Sequence, residues 1–209
     1  MCGRFYVPTE DMSDELLQIL NRAESRLQAA DPAFRLPRGE VRPGDWAAVV
    51  SMNRAGQPSS FAMKWGYHMQ GPGSTGNTAD KGKKLLINAR CETAAQKPTF
   101  RDGMVNRRCL IPAGAYFEWD HRKKPLEKYR FFLPDGPLMW LAGIYRFEPD
   151  SRYPVFTVLT RPAAANIAPL HDRMPVIVPP EMHARWLDRS LPPTPVLDAS
   201  ITDVRFFPA

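Results

Sequence analysis

Proline is the residue that most constrains this chain: 22 of its 209 positions carry it, roughly twice the usual share of about 5%. A fixed φ and a missing N–H make proline an interruption in helix interiors and in the middle of sheets alike. So dense a scatter argues against a helical bundle and favours short strands joined by loops. With 44% hydrophobic residues, the chain still has material for a sizeable core.

One long helix stands out, over residues 9–29. Thr9 is its candidate N-cap, and Met12, Leu16, Ile19, Leu20, Ala23 and Leu27 recur at helical spacing before Asp31-Pro32 ends it. Beyond it the pattern is β, with strands predicted at 46–52, 60–65, 84–87, 104–111, 115–119, 128–133, 138–147, 155–160, 176–178 and 202–206. These runs are short, β-branched or aromatic, and bounded by Gly, Pro or Asn. Short helices are predicted at 93–97, 163–168 and 181–187, and the Gly-, Ser- and Lys-rich stretch 70–84 reads as a surface loop. The expected fold is α+β: a single β-rich domain over 1–209, with mixed or antiparallel sheets in a partly open barrel, the long N-terminal helix and short flanking helices.

Several function classes fall away. No apolar run approaches the ~18–20 residues of a membrane span. Cys2, Cys91 and Cys109 are odd in number and form no CxxC pair, and His68, His121, His171 and His183 lack metal-ligand spacing. Neither a disulfide scaffold nor a metal or other cofactor is expected. No apolar stretch of signal-peptide length opens the chain, so a cytoplasmic protein in a reducing compartment is the expectation.

The formal net charge is +6, which points to an anionic partner. It is unevenly spread: residues 101–130 hold eight Lys and Arg against four acids, a surplus of four. Tyr116, Phe117, Trp119 and Tyr129 are interleaved with them. A solvated hairpin turn would account for the charges alone. Aromatic rings among cations add a second option, because single-stranded nucleic acid is held by stacking and phosphate contacts together.

Four places carry reactive groups. Removal of Met1 would leave Cys2 with a free α-amine beside its thiol, two nucleophiles whose ordinary pKa values are ~7.7–8.0 and ~8.5. Such a pair attacks an aldehyde through nitrogen and closes through sulfur to a five-membered thiazolidine, or attacks an acyl carbon through sulfur alone. In Leu86-Ile87-Asn88-Ala89-Arg90-Cys91-Glu92-Thr93, a strand end delivers Asn88 and Arg90 to one side, with Cys91 turned away as a core thiol. Ala115-Tyr116-Phe117-Glu118-Trp119 sets one carboxylate among aromatic rings, where desolvation raises its pKa. His171, in Leu170-His171-Asp172-Arg173-Met174-Pro175, occupies a loop, the usual placement of a proton-transfer residue. Taken singly, each has a plainer reading: an incidental Cys, a strand-to-helix cap, an ion-pair partner, a surface loop.

In order, Met1-Cys2-Gly3-Arg4-Phe5, Trp65-Gly66, Ile87-Asn88-Ala89-Arg90 with Glu92-Thr93, Phe117-Glu118-Trp119 and His171-Asp172-Arg173-Met174-Pro175 resemble the SOS-response-associated peptidase (SRAP) family. The resemblance runs from residue 2 to about 178. It implies a monomeric protein that binds single-stranded DNA and crosslinks covalently to abasic sites. By that resemblance Cys2 forms a thiazolidine with the ring-opened sugar, Asn88 orients the Cys2 amine, Glu118 assists ring opening and proton transfer, and His171 acts as acid or base near the sugar oxygen. Arg4, Arg90 and Arg173 are implied phosphate contacts, and Trp65 and Tyr67 implied DNA contacts. The family name also implies a peptidase activity, read as self-processing that exposes Cys2. Two departures accompany it. Glu40 stands where family members carry Asn, and Tyr67-His68-Met69-Gln70 replaces a segment that supplies a Trp to the bases.

Two other readings compete. An N-terminal-nucleophile amidohydrolase also opens Met-Cys-Gly, with sulfur attacking an amide and its own amine as base. A nucleic-acid-binding module without chemistry would leave Cys2 and Glu118 dispensable.

Overall fold

The strands that the proline content keeps short assemble into two main sheets. The computed structural model describes residues 2–69, 85–134, 136, 138–149 and 151–209; the loop expected at 70–84 lies outside them. In chain order the strands are β1 (Arg4–Val7), β2 (Gly39–Val41), β3 (Trp46–Met52), β4 (Pro58–Trp65), β5 (Tyr67–His68), β6 (Leu85–Leu86) and β7 (Asn88–Arg90). They continue with β8 (Arg108–Ala113), β9 (Ala115–Asp120), β10 (Glu127–Phe132), β11 (Met139–Arg146), β12 (Val155–Pro162), β13 (Arg173–Pro175) and β14 (Arg205–Pro208). The helices are α1 (Asp14–Gln28), α2 (Cys91–Ala94), α3 (Pro98–Asn106), α4 (His183–Leu187) and α5 (Thr194–Asp198), with a 3-10 turn at Pro180–Met182.

One sheet runs β14-β10-β9-β1-β2. The other runs β11-β8-β3-β4-β12-β13, with β7 added on β12, and β11 also pairs β12, so that β11, β8, β3, β4 and β12 close a ring. Pairing is antiparallel except where β12 runs parallel to β4 and β7. The mixed, partly closed barrel and the single β-rich domain are therefore what the fold contains. Aromatic side chains fill the space between the sheets: Phe5 lies 5.1 Å from Trp65, which stacks at 6.2 Å on Phe156, and Tyr116 stacks at 4.6 Å on Phe131.

The long helix is real but starts later than expected. Ser13, not Thr9, is the N-cap, its hydroxyl accepting from the Leu16 N–H at 3.3 Å. Thr9 instead meets the Tyr6 hydroxyl at 3.1 Å. Leu16, Ile19, Leu20 and Ala23 form the i, i+3, i+4, i+7 stripe that α1 buries against β3 and β4. Glu24 on the same helix is buried and accepts from the Leu36 N–H at 2.9 Å and from Arg38 at 3.1 Å, anchoring the run back to β2.

Other boundaries need correction. The strand predicted at 104–111 is helix α3 up to Asn106 and strand only from Arg108, because Pro98 at the first helical turn starts a helix whose apolar residues Phe100 and Met104 face the core. The strand predicted at 176–178 lies at Arg173–Pro175, with Ile177 making isolated bridges to Leu141 and Ile201. The helix predicted at 163–168 is a set of turns. Of the strand predicted at 84–87, only Leu85–Leu86 is strand, as β6, and β7 follows from Asn88. Several prolines mark where ladders begin or stop: Pro58 opens β4, and Pro162, Pro175 and Pro208 end β12, β13 and β14. Pro112 falls in β8 beyond the stretch that pairs with β3.

Gly66 explains why Trp65 is followed by glycine. Its φ is +114°, its N–H donates to Phe156 O at 2.7 Å, and a Cβ there would stand 2.9 Å from Leu85 Cβ. Positive φ and close approach act together. Gly66→Ala is expected to cost about 2 kcal/mol, lowering the thermal midpoint by roughly 4–8 °C for a chain of this size. Differential scanning calorimetry checks it; an unchanged midpoint would show that the turn relaxes.

Candidate active site

The reactive groups come from four separated segments and meet where the five-stranded sheet adjoins the ring. β1 lies between β2 and β9, with Phe5 opposite both Val41 and Tyr116. This pairing fixes Cys2, two residues before the strand, in a fully buried position. Its Sγ–H points at Arg4 O, 3.6 Å away. Burial pushes the Cys2 thiol well above its ordinary range, against a smaller lowering from the Arg4 carbonyl contact.

Asn88 reaches Cys2 from the other sheet. β7 pairs with β12 in parallel, Asn88 opposite Val158, and this places the Asn88 side chain so that Nδ2 donates to Cys2 O at 2.9 Å. Its Oδ1 is buried and has no hydrogen-bond partner among the described residues. A carboxamide tied to the Cys2 carbonyl with an acceptor in reserve suits the orientation of an amine.

Glu118 sits on β9 and is 3% exposed. Burial raises its carboxyl to about 7, so near neutral pH it exists in both protonation states and can give as well as take a proton. His171 Nε2 is 4.0 Å from Glu118 Oε2. The Arg173 backbone N–H donates to His171 Nδ1 at 3.0 Å, which assigns the ring proton to Nε2, on the side of Glu118. Burial lowers the His171 pKa, although Asp172 Oδ1, 3.0 Å from Nδ1, works in the opposite direction. Cys2, Asn88, Glu118 and His171, far apart in sequence, are thus gathered into one site.

The residues expected to hold DNA divide. Arg90 is exposed at the end of β7. Arg4 is half-buried; it donates to Glu40 at 3.0 Å and lies 5.5 Å from the Trp119 ring centre. Glu40 also pairs with Lys128, so the acid that departs from the family pattern binds two cations of the surface.

Arg173 needs correction: it is 7% exposed, donates to both Glu92 oxygens at 2.5 and 2.8 Å and to Thr160 O at 2.7 Å, and thereby ties the His171 loop to α2 and β12. That commitment holds Glu92 down at about 2, chiefly through the Arg173 hydrogen bond, and leaves the guanidinium no free fork for a phosphate.

Trp65 and Tyr67 need correction too. They are 0% and 1% exposed, and the Trp65 indole donates to Ile87 O at 2.9 Å. No ring face is left for a base. Cys91, read as a core thiol, is half-buried at the start of α2 beside Glu92, 3.7 Å away, and is pushed up to about 11 by burial.

Tyr116 belongs to the site and was not singled out by its chemistry in the sequence. It shares the buried face of β9 with Glu118, two residues on, and its hydroxyl is buried with no hydrogen-bond partner among the described residues. Burial, and then the charges of Cys2 and Glu118, raise it well above its ordinary range. The period-2 spacing from Glu118 is the signal that identifies it.

Comparison with known proteins identifies the family. The family model described as SOS response associated peptidase (SRAP) matches residues 1–204. The abasic site processing protein YobE of Bacillus subtilis is 38% identical over 202 residues, covering 90% of this chain and 82% of that protein. The abasic site processing protein YedK of Escherichia coli is 28% identical, covering 91% and 81%. A solved protein from Bacteroides thetaiotaomicron shares the fold at a TM-score of 0.76 and 19% identity, over 99% of this chain and 91% of that one. With motif order, gathered side chains and a match over nearly the whole length in agreement, the chain belongs to the SRAP family of abasic-site-processing proteins.

Proposed function

We propose that this protein binds single-stranded DNA and, once Met1 is removed, joins Cys2 covalently to abasic sites as a thiazolidine. The observation that carries the reading is the hydrogen bond from Asn88 to the Cys2 carbonyl, with the Glu118–His171 pair completing the site. The relatives named above process abasic sites, and an abasic deoxyribose in its open form presents the aldehyde that an aminothiol traps.

The steps balance without an outside reagent. The Cys2 amine, oriented by Asn88 Oδ1, adds to the aldehyde carbon to give a carbinolamine. Glu118 in its neutral form protonates the departing hydroxyl, water leaves, and the iminium N–H proton returns to the Glu118 carboxylate, so that an imine remains. The Cys2 thiol adds across the C=N bond and its proton passes to the ring nitrogen. One water is released, one C–N and one C–S bond form, and no electron is gained or lost. His171, carrying its proton at Nε2, acts as acid toward the sugar ring oxygen during ring opening and as base in return. Burial of the Cys2 thiol favours this nitrogen-first order, because a sulfur-first amidohydrolase calls for a depressed thiol pKa. Exposure of the amine is the self-processing step that the family name describes.

Protein with a verified Cys2 amine, mixed with single-stranded DNA holding one abasic site, is expected to give an adduct that survives denaturation. Cys2→Ala is expected to give only an imine that needs reduction to persist; a stable adduct without reduction would remove the thiol from the linkage. Asn88→Ala is expected to slow crosslinking by roughly 10- to 100-fold through misorientation.

Rate against pH tests Glu118. The amine reacts when deprotonated, with an ordinary pKa of ~7.7–8.0, and Glu118 acts when protonated, below about 7. The product of the two fractions is a bell with its apex between those values. Glu118→Gln is expected to lower the rate and abolish the alkaline limb; a limb that survives would assign it to another group. Arg90→Ala is expected to weaken binding and reduce the log–log salt slope by about 0.7, the contribution of one phosphate contact on a single strand. A slope equal to the parent's would remove Arg90 from that role.

A further inference from the structure

With Trp65 and Tyr67 buried, the rings that hold a single strand must lie elsewhere, and the outward face of the five-stranded sheet supplies them. Alternation along each strand sends Phe5, Tyr116 and Phe131 inward and their neighbours outward. Register then lines up one row across four strands: Arg4 opposite Phe117, Phe117 opposite Arg130, and Arg130 opposite Phe207. The row alternates cation, ring, cation, ring over about 14 Å at the usual strand spacing; Phe117 is buried beneath Lys128, so the open ring of the row is Phe207. Beside it stand Lys128 opposite Trp119 and Arg205 opposite Phe132.

The cations are held over rings. Lys128 Nζ is 4.1 Å from the Phe117 ring centre and the Arg130 guanidinium 4.6 Å from that of Tyr6. Phe207 is 46% exposed at the end of the row, 5.5 Å from Phe132. Four cations, Arg4, Lys128, Arg130 and Arg205, face a single acid, Glu40, on this surface. Arg4 is only two residues from Cys2, so the row begins at the active site and leads away from it.

We infer that this face is a binding track for single-stranded DNA flanking the lesion, with Arg130 contacting phosphate and Phe207 stacking on a base. The inference rests on the reading that the chain engages single-stranded DNA. Charge complementarity selects a polyanion, and the exposed Phe207 ring beside Arg130 selects one whose bases are free to stack. A duplex hides its base faces and gains nothing from Phe207.

The test uses the full chain and a labelled, lesion-free single-stranded oligonucleotide, with fluorescence anisotropy at several salt concentrations. Phe207→Ala is expected to weaken binding about fivefold or more. Arg130→Ala is expected to weaken it and to reduce the log–log salt slope by about 0.7. Arg54→Ala, in the exposed turn between β3 and β4, is the control for net charge and is expected to change affinity by less than about twofold. If Phe207→Ala proves unstable, Phe207→Leu keeps apolar packing and removes the ring, with the same weakening expected.

Parent-like affinity in both Arg130→Ala and Phe207→Ala would overturn the inference. So would equal weakening by Arg54→Ala, or tighter binding of duplex than of single strand by the parent. Because the probe carries no abasic site, failure of the crosslinking chemistry is read in a different assay from failure of this surface.

Discussion

Two-sided pairing of β1 is the constraint on which the site depends. Residues this close to a chain start usually fray, since nothing compensates the entropy of fixing them. Here Phe5 is fully buried and paired to Val41 on one side and Tyr116 on the other. That pairing sets Cys2 beside the strand that carries Glu118, and the Asn88 hydrogen bond ties it to the second sheet. Cys2 is thus held as firmly as a residue in a core strand. Pre-organisation of this kind is what converts a reactive terminus into a directed one.

The electrostatics of the site follow from burial more than from paired charge. Burial raises the Glu118 carboxyl to about 7 and lowers the His171 imidazole, so near pH 7 Glu118 is present in both forms while His171 favours its neutral one. A carboxyl that titrates near neutrality can give a proton to a reacting group and take it back at small cost. The one strong ion pair nearby, Arg173 with Glu92, stands outside this exchange and holds the loop that carries His171. Charge fixes the scaffold, and burial at the centre brings the Glu118 proton within reach of neutral pH.

Much of this was legible in the sequence. The stripe Leu16, Ile19, Leu20, Ala23 announces α1, and alternation through 115–119 announces β9 with Glu118 on it. The four candidate positions, Cys2, Asn88, Glu118 and His171, are readable because each places a reactive group beside a strand, within one, or in a loop between prolines. What could not be read is what tertiary packing decides. Trp65 and Tyr67 look like stacking rings because an aromatic residue reads the same whether it meets a base or a core. Arg173 looks like a phosphate contact because its partner, Glu92, is 81 residues away. β1 and β2 are too short to show a period, and the 104–111 segment reads as β until Pro98 is recognised as a helix start. The cross-strand row from Arg4 to Phe207 exists only in register, and register depends on pairing partners far apart in the chain.

The prolines at the strand ends have a consequence beyond loop formation. The ring of β11, β8, β3, β4 and β12 has no free rim, but the five-stranded sheet leaves β2 and β14 exposed as edges. β2 is three residues long, and β14 ends in Pro208, which has no N–H to offer a passing strand. β13, at the end of the other sheet, is three residues ending in Pro175. A strand-rich protein thus presents borders on which another chain finds little to extend. The residue that ends strands inside the molecule also discourages sheet growth between molecules.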